Sequence, residues 1–355
     1  MEKYDIIVIG GGPSGAIFSY FIDKKYKTLL LEKRNYNDEN NFHIKSCGGL
    51  LSENAQASLA SLNYSIPNSI LANPQVFNVK VIDFDNNITK KYYKGYINID
   101  REKFDDFLLK KVKNHVEVIR GAVYNQFERI NKKVYRIKYR IDGVLKYAET
   151  NMIIGADGAN SRVAHEIVPV MANNYVSIQK KYKKIVDIPE YYAIFDKKVN
   201  DYYSWIIPKD DEIILGSILN KNDNAHDKFD ILENKIRERE NILGDFIKEE
   251  GTIIKRPGFN SQFVGHANIG LIGEAAGFIS PSSSEGISYA IKSGYYLAQS
   301  INKYGIEHGM KYYKKKCNSI MYELKLKYLK SKLIYNPFTR NIIIRSGIFA
   351  NKLNI

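Results

Sequence analysis

Cysteine is scarce: Cys47 and Cys317 are the only two in 355 residues. Two thiols so far apart build no disulfide framework, so a crosslinked secreted scaffold is excluded and a reducing, cytoplasmic compartment fits. Long apolar runs are also missing. No stretch of about 18 apolar residues occurs, so no spanning helix is expected. The first strand pattern begins at Tyr4 and leaves no room for a signal peptide. Low-complexity linkers and internal repeats are absent, and no metal site is expected. Acid is short relative to base. Fifty-three Lys and Arg face 39 Asp and Glu, a net charge of +14. Such a balance points to an anionic partner: a phosphate-bearing ligand, an anionic membrane or a nucleic acid. No recognition motif for nucleic acid is present, so that partner is not expected.

What is there starts at Tyr4. Tyr4 to Gly10 reads as a short buried strand, Gly10-Gly-Gly12-Pro13-Ser14-Gly15 as a turn, Ala16 to Lys24 as a helix, and Thr28 to Glu32 as a second strand ending in an acid. Strand, glycine turn, helix, strand and acid together place a dinucleotide pyrophosphate on a helix N-terminus. Gly10 permits the tight turn, Gly12 admits the phosphates, Gly15 lets the helix pack on the sheet, and Glu32 accepts from ribose hydroxyls. Farther on, Ser52 is a cap for a helix over Glu53 to Leu62. Phe77 to Phe84 and Thr89 to Tyr93 form a hairpin about Asp85-Asn-Asn87. Asp100 caps a helix whose apolar face is Phe104, Phe107, Leu108 and Val112. Val116 to Ile119, Ala122 to Ile130, Val134 to Ile141, Val144 to Glu149 and Met152 to Ala156 read as strands. Tyr175 to about Leu219 is β-rich, Asp227 to Phe246 reads as helix, Asn268 to Ile272 as a strand, and Glu285 to Tyr304 as a buried helix.

Three further segments carry a resemblance. Ile154-Gly-Ala-Asp157-Gly158-Ala-Asn-Ser-Arg162 resembles the second flavin motif of the aromatic-hydroxylase superfamily of flavoproteins. Gly273-Glu274-Ala-Ala-Gly277 with Pro281 and Glu285-Gly286-Ile287 resembles its third, with Glu in place of the usual Asp. Arg101 matches an arginine that starts a helix near the flavin. The resemblance implies that the dinucleotide is FAD. Its implied contacts are Gly10, Gly12, Pro13, Ser14, Gly15, Glu32, Lys33, Arg34, Cys47, Gly48, Gly49, Arg101, Val123, Asp157, Gly158, Gly273, Glu274, Gly286 and Ile287. The helix N-terminus before Ile287 carries about half a positive charge and suits an anionic reduced flavin.

Two more segments narrow the likeness. Lys45-Ser-Cys47-Gly48-Gly49 and Tyr203-Ser-Trp205-Ile-Ile-Pro208 resemble motifs of geranylgeranyl-reductase-type flavoproteins. The resemblance runs from Tyr4 to about Ser300 and implies reduction of isolated C=C bonds in an isoprenoid or other small lipophilic substrate. Cys47, Trp205 and Tyr203 are the candidate catalytic residues. Cys47 is either the proton donor or a small residue packed near the flavin. Trp205 either lines a lipid cavity or belongs to the core. Tyr203 either hydrogen-bonds or packs. An aromatic-substrate monooxygenase, a halogenase (from Tyr203 to Pro208) and a flavoprotein without turnover are the alternatives. No second glycine-turn unit is found, so NAD(P)H binds transiently or an external reductase supplies electrons as redox partner.

The expected fold is α/β: a Rossmann-like FAD-binding domain (1–75, 95–165 and 260–305), an inserted antiparallel β-sheet substrate domain (76–94 and 170–255), and a basic C-terminal helical segment (306–355). Residues 301–355 hold ten Lys and two Arg against two Glu, mixed with Tyr312, Tyr313, Leu324, Leu326, Tyr328, Leu329, Phe338, Ile342, Ile343, Ile344, Ile348 and Phe349. That mixture fits either a helix at an anionic membrane, peripheral to its inner face, or a helix packed on the sheet with lysines outward.

Overall fold

The computed structural model describes residues 1–35, 46–168, 175–347 and, for the backbone, 351–352. Lys45, at the head of the cysteine–glycine segment, and Ile348 and Phe349 lie outside the described residues.

Two sheets organise the chain. In the first, Ile269–Leu271, Val144–Gly155, Glu2–Ile9, Thr28–Glu32 and Val116–Arg120 run parallel in that order. The hairpin Ala122–Arg129 and Tyr135–Ile141 adds to it antiparallel, through the outer half of Val144–Gly155. The central strands are covered on both faces, which is why Ile6 to Ile9 and Leu29 to Leu31 are unbroken apolar runs. Helix Pro13–Phe21 and the N-terminal part of helix Ile287–Ile334 pack against each other. Gly294 permits the closeness, since a Cβ there would sit 2.3 Å from the Ser14 carbonyl oxygen.

The second sheet orders its strands Leu243–Ile253, Tyr175–Lys184, Glu212–Asn220, Ser204–Lys209, Glu190–Phe195, Val76–Asp83, Ile88–Asn98 and Asn351–Lys352. Its ladders are antiparallel but one: Glu190–Phe195 runs parallel to Val76–Asp83. The short strand Leu50–Leu51 pairs antiparallel with the end of Ile88–Asn98; the chain then runs in this sheet from Val76 to Asn98 and returns to it at Tyr175. Ile88–Asn98 is a single strand, so a boundary between residues 94 and 95 falls inside an element.

Other expectations are adjusted by local chemistry. The helix expected over Asp227 to Phe246 is Ala225–Glu240. Asn241, with φ 45°, stops it in the left-handed conformation that Asn tolerates, and Leu243–Ile253 is a strand. The helix after Ser52 is Glu53–Ala60, and Ser52 makes no side-chain cap bond. Asp100 does cap Arg101–Lys110, accepting from the amides of Glu102 and Lys103 at 2.9 and 3.0 Å. The expected boundary at residues 305–306 lies within Ile287–Ile334, where Gly305 (φ 74°) interrupts the helical backbone.

Candidate functional site

The glycine turn forms the floor of the site. Gly10 has φ +103°, and a Cβ there would lie 2.5 Å from the Ala156 carbonyl oxygen; one on Gly15 would lie 2.0 Å from the Gly10 oxygen. These two glycines seat the turn against the start of the Asp157-Gly158 segment. Gly12 precedes helix Pro13–Phe21, whose first turn has no side-chain cap. Gly273 closes the site from the other side: a Cβ on it would lie 2.7 Å from the Ser14 hydroxyl. Three segments distant in sequence therefore meet around one helix N-terminus.

Behind the turn lies a buried chain of charges. Glu32 accepts from the Gly11 amide at 2.5 Å and from the amide and Nε of Arg34 at 2.8 and 3.0 Å. Arg34 Nη1 reaches Asp105 at 2.9 Å, Arg101 Nε meets the other Asp105 oxygen at 2.8 Å, and Arg101 Nη1 donates to Cys47 Sγ at 3.2 Å. Burial pushes the Asp105 carboxyl up, but the Arg101 and Arg34 guanidiniums outweigh it and hold it below the usual range. Asp105 was not among the sequence-derived candidates. Its signal is the i, i+4 spacing from Arg101 on a capped helix.

The two segments that narrowed the resemblance touch. A Cβ on Gly48 would lie 2.3 Å from Ile207 Cδ1 and 3.9 Å from Trp205 Nε1. Lys209, next after Pro208, donates to the carbonyls of Gly49 and Ile99 at 3.1 and 2.6 Å and to the Asn98 side chain. Burial pushes its ammonium down to about 8, against the pull of Cys47 and Asp100. Lys209 was also missed; its position directly after the Trp-x-x-Pro run is the one signal for it.

Trp205 lies flat on the second sheet. Gly216 makes room, since a Cβ there would lie 2.3 Å from the indole. The indole Nε1 is buried without a partner among the described residues. Around it gather Tyr202, Ile207, Ile214, Ile218 and Tyr335, with Tyr191 and Tyr203 packed against them. Tyrosines tie this apolar wall to the loop before Ile287. Tyr202, Tyr203 and Tyr335 donate to the carbonyls of Pro281, Ser283 and Ser282 at 2.9, 2.8 and 2.8 Å, and Tyr96 to Glu285 at 3.3 Å. Burial pushes the Tyr96, Tyr191 and Tyr203 hydroxyls well above the ordinary phenol range, so they stay neutral. Helix Ile287–Ile334 begins at Gly286 with no side-chain cap.

The remaining candidates are placed as follows. Asp157 is half-buried, accepts from the Ser161 hydroxyl at 2.5 Å and the Arg162 amide at 2.7 Å, and so anchors helix Arg162–Ile167. Glu274 sits half-buried on the short Gly273–Ala276 turn. Lys255 lies in the electrostatic field of both Glu274 and Asp157, although burial pushes it down. Val123 is in hairpin register with Arg140, on a strand that neighbours Thr28–Glu32. Lys33 is exposed.

No family model matches the chain. Protein CbrA of Escherichia coli is 34% identical over 350 residues, covering 98% of this chain and 94% of that protein. The chain belongs to the CbrA family. Solved structures add the fold. A geranylgeranyl bacteriochlorophyll reductase-like protein from Thermoplasma acidophilum superposes with TM-score 0.84 at 21% identity, covering 100% of this chain and 94% of that one. PqsL of Pseudomonas aeruginosa, named a probable FAD-dependent monooxygenase, gives 0.72 at 13% identity, over 97% and 100%. The flavin-dependent brominase Bmp2 gives 0.71 at 21% identity, over 97% and 92%. This CbrA relative thus has the fold of the FAD-dependent oxidoreductases.

Proposed function

We propose that this CbrA-family chain binds FAD and reduces C=C bonds of an isoprenoid or similar lipophilic substrate. The supporting observation is the contact of Gly48 with Ile207 and Trp205 and of Gly49 with Lys209, which seats the segment that carries Cys47 against the strand that carries Trp205. The residues fit the cofactor. The uncapped Pro13–Phe21 N-terminus would hold the pyrophosphate, Glu32, with three of its lone pairs already engaged, would accept from a ribose hydroxyl with the remaining one, and the Ile287 helix start would offer its free amides to an anionic flavin. Reduced FAD, when bound, supplies the hydride for one alkene carbon. NAD(P)H or a separate reductase is proposed as the source of its electrons.

The chain's own residues supply the rest. An unactivated alkene needs a proton on its other carbon, and Cys47 is the proposed donor. Arg101, donating to Sγ, stabilises the charge left on sulfur as the proton departs. Asp105 fixes Arg101 for that task. Lys209 holds Gly49, and with it the cysteine segment, against the second sheet. Trp205, Tyr203 and the surrounding aliphatics form the buried apolar cluster that is proposed to pack against the hydrocarbon and exclude water.

The test mixes anaerobically reduced protein with polyprenyl phosphates and reads the products by mass. The expected product gains two hydrogens. Cys47→Ala is expected to slow that gain by roughly 100-fold, in the range for a lost general acid, with cofactor content unchanged. A product that instead gains an oxygen after air is admitted assigns a monooxygenase and overturns the reading.

A further inference from the structure

The second half of helix Ile287–Ile334 has two apolar faces, and one of them is covered. Tyr313, Cys317, Ile320 and Leu324 are buried in the core. On the opposite side Tyr322, Leu326, Leu329 and Leu333 follow the i, i+4, i+7, i+11 spacing of one helical stripe. Phe338 and Ile342 repeat the pattern at i, i+4 on helix Pro337–Ser346. These six side chains are 45–74% exposed. Exposed apolar side chains grouped in this way mark an interaction surface.

Charge decides what covers it. At 100° per residue, Lys325 and Lys332 fall along one edge of the stripe and Lys330 along the other, with exposed Lys311 and Lys315 on its N-terminal extension. Glu323 is the one acid between residues 314 and 346, and its carboxylate is held by the Tyr289 hydroxyl at 2.7 Å and by Lys327 at 3.1 Å. An apolar row between cationic edges complements an anionic bilayer surface. It disfavours a second copy of the chain, which would bring like charges together. Among the described residues no helix is long and apolar enough to cross a membrane, so the row would lie on the surface.

We propose that the Tyr322–Leu333 stripe and the Phe338–Ile342 pair seat this protein on an anionic lipid surface. The surface adjoins the aromatic wall, because Tyr335, between the two helices, stacks on Tyr202 with ring centroids 4.6 Å apart. A lipophilic substrate would then reach the wall from the bilayer. The docking itself does not depend on the redox reading.

The test is co-sedimentation of the full chain with phosphatidylcholine vesicles, with and without phosphatidylglycerol. Binding is expected to the anionic vesicles, weakening as salt rises. Leu326→Gln/Leu329→Gln is expected to bind at least about tenfold more weakly, from lost apolar burial alone. Its melting temperature should be unchanged, since both side chains are exposed. Lys325→Gln/Lys332→Gln should flatten the salt dependence. Three results overturn the proposal: no wild-type binding to anionic vesicles, equal binding by the leucine variant, or self-association abolished by that variant without vesicle binding, which would assign the stripe to a second copy.

Discussion

At Gly12 the backbone has φ −67° and ψ −177°, a conformation open to any residue. A Cβ there would meet nothing nearer than Arg34 Nη2 at 4.0 Å. Gly10 and Gly15 differ, because the fold itself collides with a side chain at either position. Packing therefore explains Gly10 and Gly15, a Cβ on Gly11 would be tight against Glu32 and Leu109 (3.0 Å), and Gly12 is left to a ligand that comes close to the backbone. Gly12→Val is expected to keep the fold, with a change in stability within about 0.5 kcal/mol as for an uncrowded surface site, and to lose the flavin that the proposed function calls for. Thermal melting and the visible spectrum of the purified variant check both halves. A yellow variant would move the pyrophosphate elsewhere. Gly12 was legible in the sequence because the motif is local. Asp105 and Lys209 were not, because the Arg34 partner of Asp105 and the Gly49 and Ile99 partners of Lys209 meet them only across the fold.

Between elements, Asp105 joins helix Arg101–Lys110 to the end of strand Thr28–Glu32 through Arg34, and it fixes Arg101 on Cys47. Both guanidiniums are nearly buried, so removing the carboxylate leaves two cations facing each other out of water. Asp105→Asn is expected to cost about 3–5 kcal/mol, the usual range for breaking a buried pair. The pH dependence follows from the sign of the shift. The folded carboxyl lies below its unfolded value of about 4. Its contribution is complete above that value and is lost as pH falls through the lower, folded one. Denaturant unfolding of the wild type from pH 7 to pH 3 should show this acid-side loss, and Asp105→Asn should show less of it. An unchanged acid limb in the variant would mean that other carboxyls govern acid unfolding.

For the molecule as a whole, the C-terminal helices are structural as well as basic. Arg340 is buried, with Nε and Nη2 on Asp83 at 2.8 and 2.9 Å and Nη2 on Asp85 at 2.5 Å. Tyr92 donates to the Ile344 carbonyl at 3.1 Å, and Ile344 packs against Val79, Val81 and Ile88. Tyr313, Cys317, Ile320 and Leu324 belong to the core of the first sheet. Each such apolar side chain contributes roughly 1.5–3 kcal/mol when fully buried, and whole domains are stable by only about 5–15 kcal/mol. Removal of residues 310–355 is therefore expected to abolish cooperative unfolding, read by calorimetry, rather than to trim away a detachable tail. A truncated chain that melts like the full one would show that these helices are dispensable.

The sequence by itself determined what depends on local pattern. The glycine turn with its flanking strands and acid, the Asp100 cap, the hairpins and the apolar runs of the central sheet all lie within a few residues of their cause. Their backbone geometry follows from residue type and spacing. Tertiary structure alone decided the rest. It brought Cys47 beside Arg101 and Gly48 beside Trp205, and put Lys209 under Gly49. It also divided the long C-terminal helix into a face that packs and a face that does not. The lysine and leucine content of that stretch is equally compatible with either face being covered. Which one is buried depends on the sheet it meets, and that sheet is assembled from strands spread over the chain from Glu2 to Leu271.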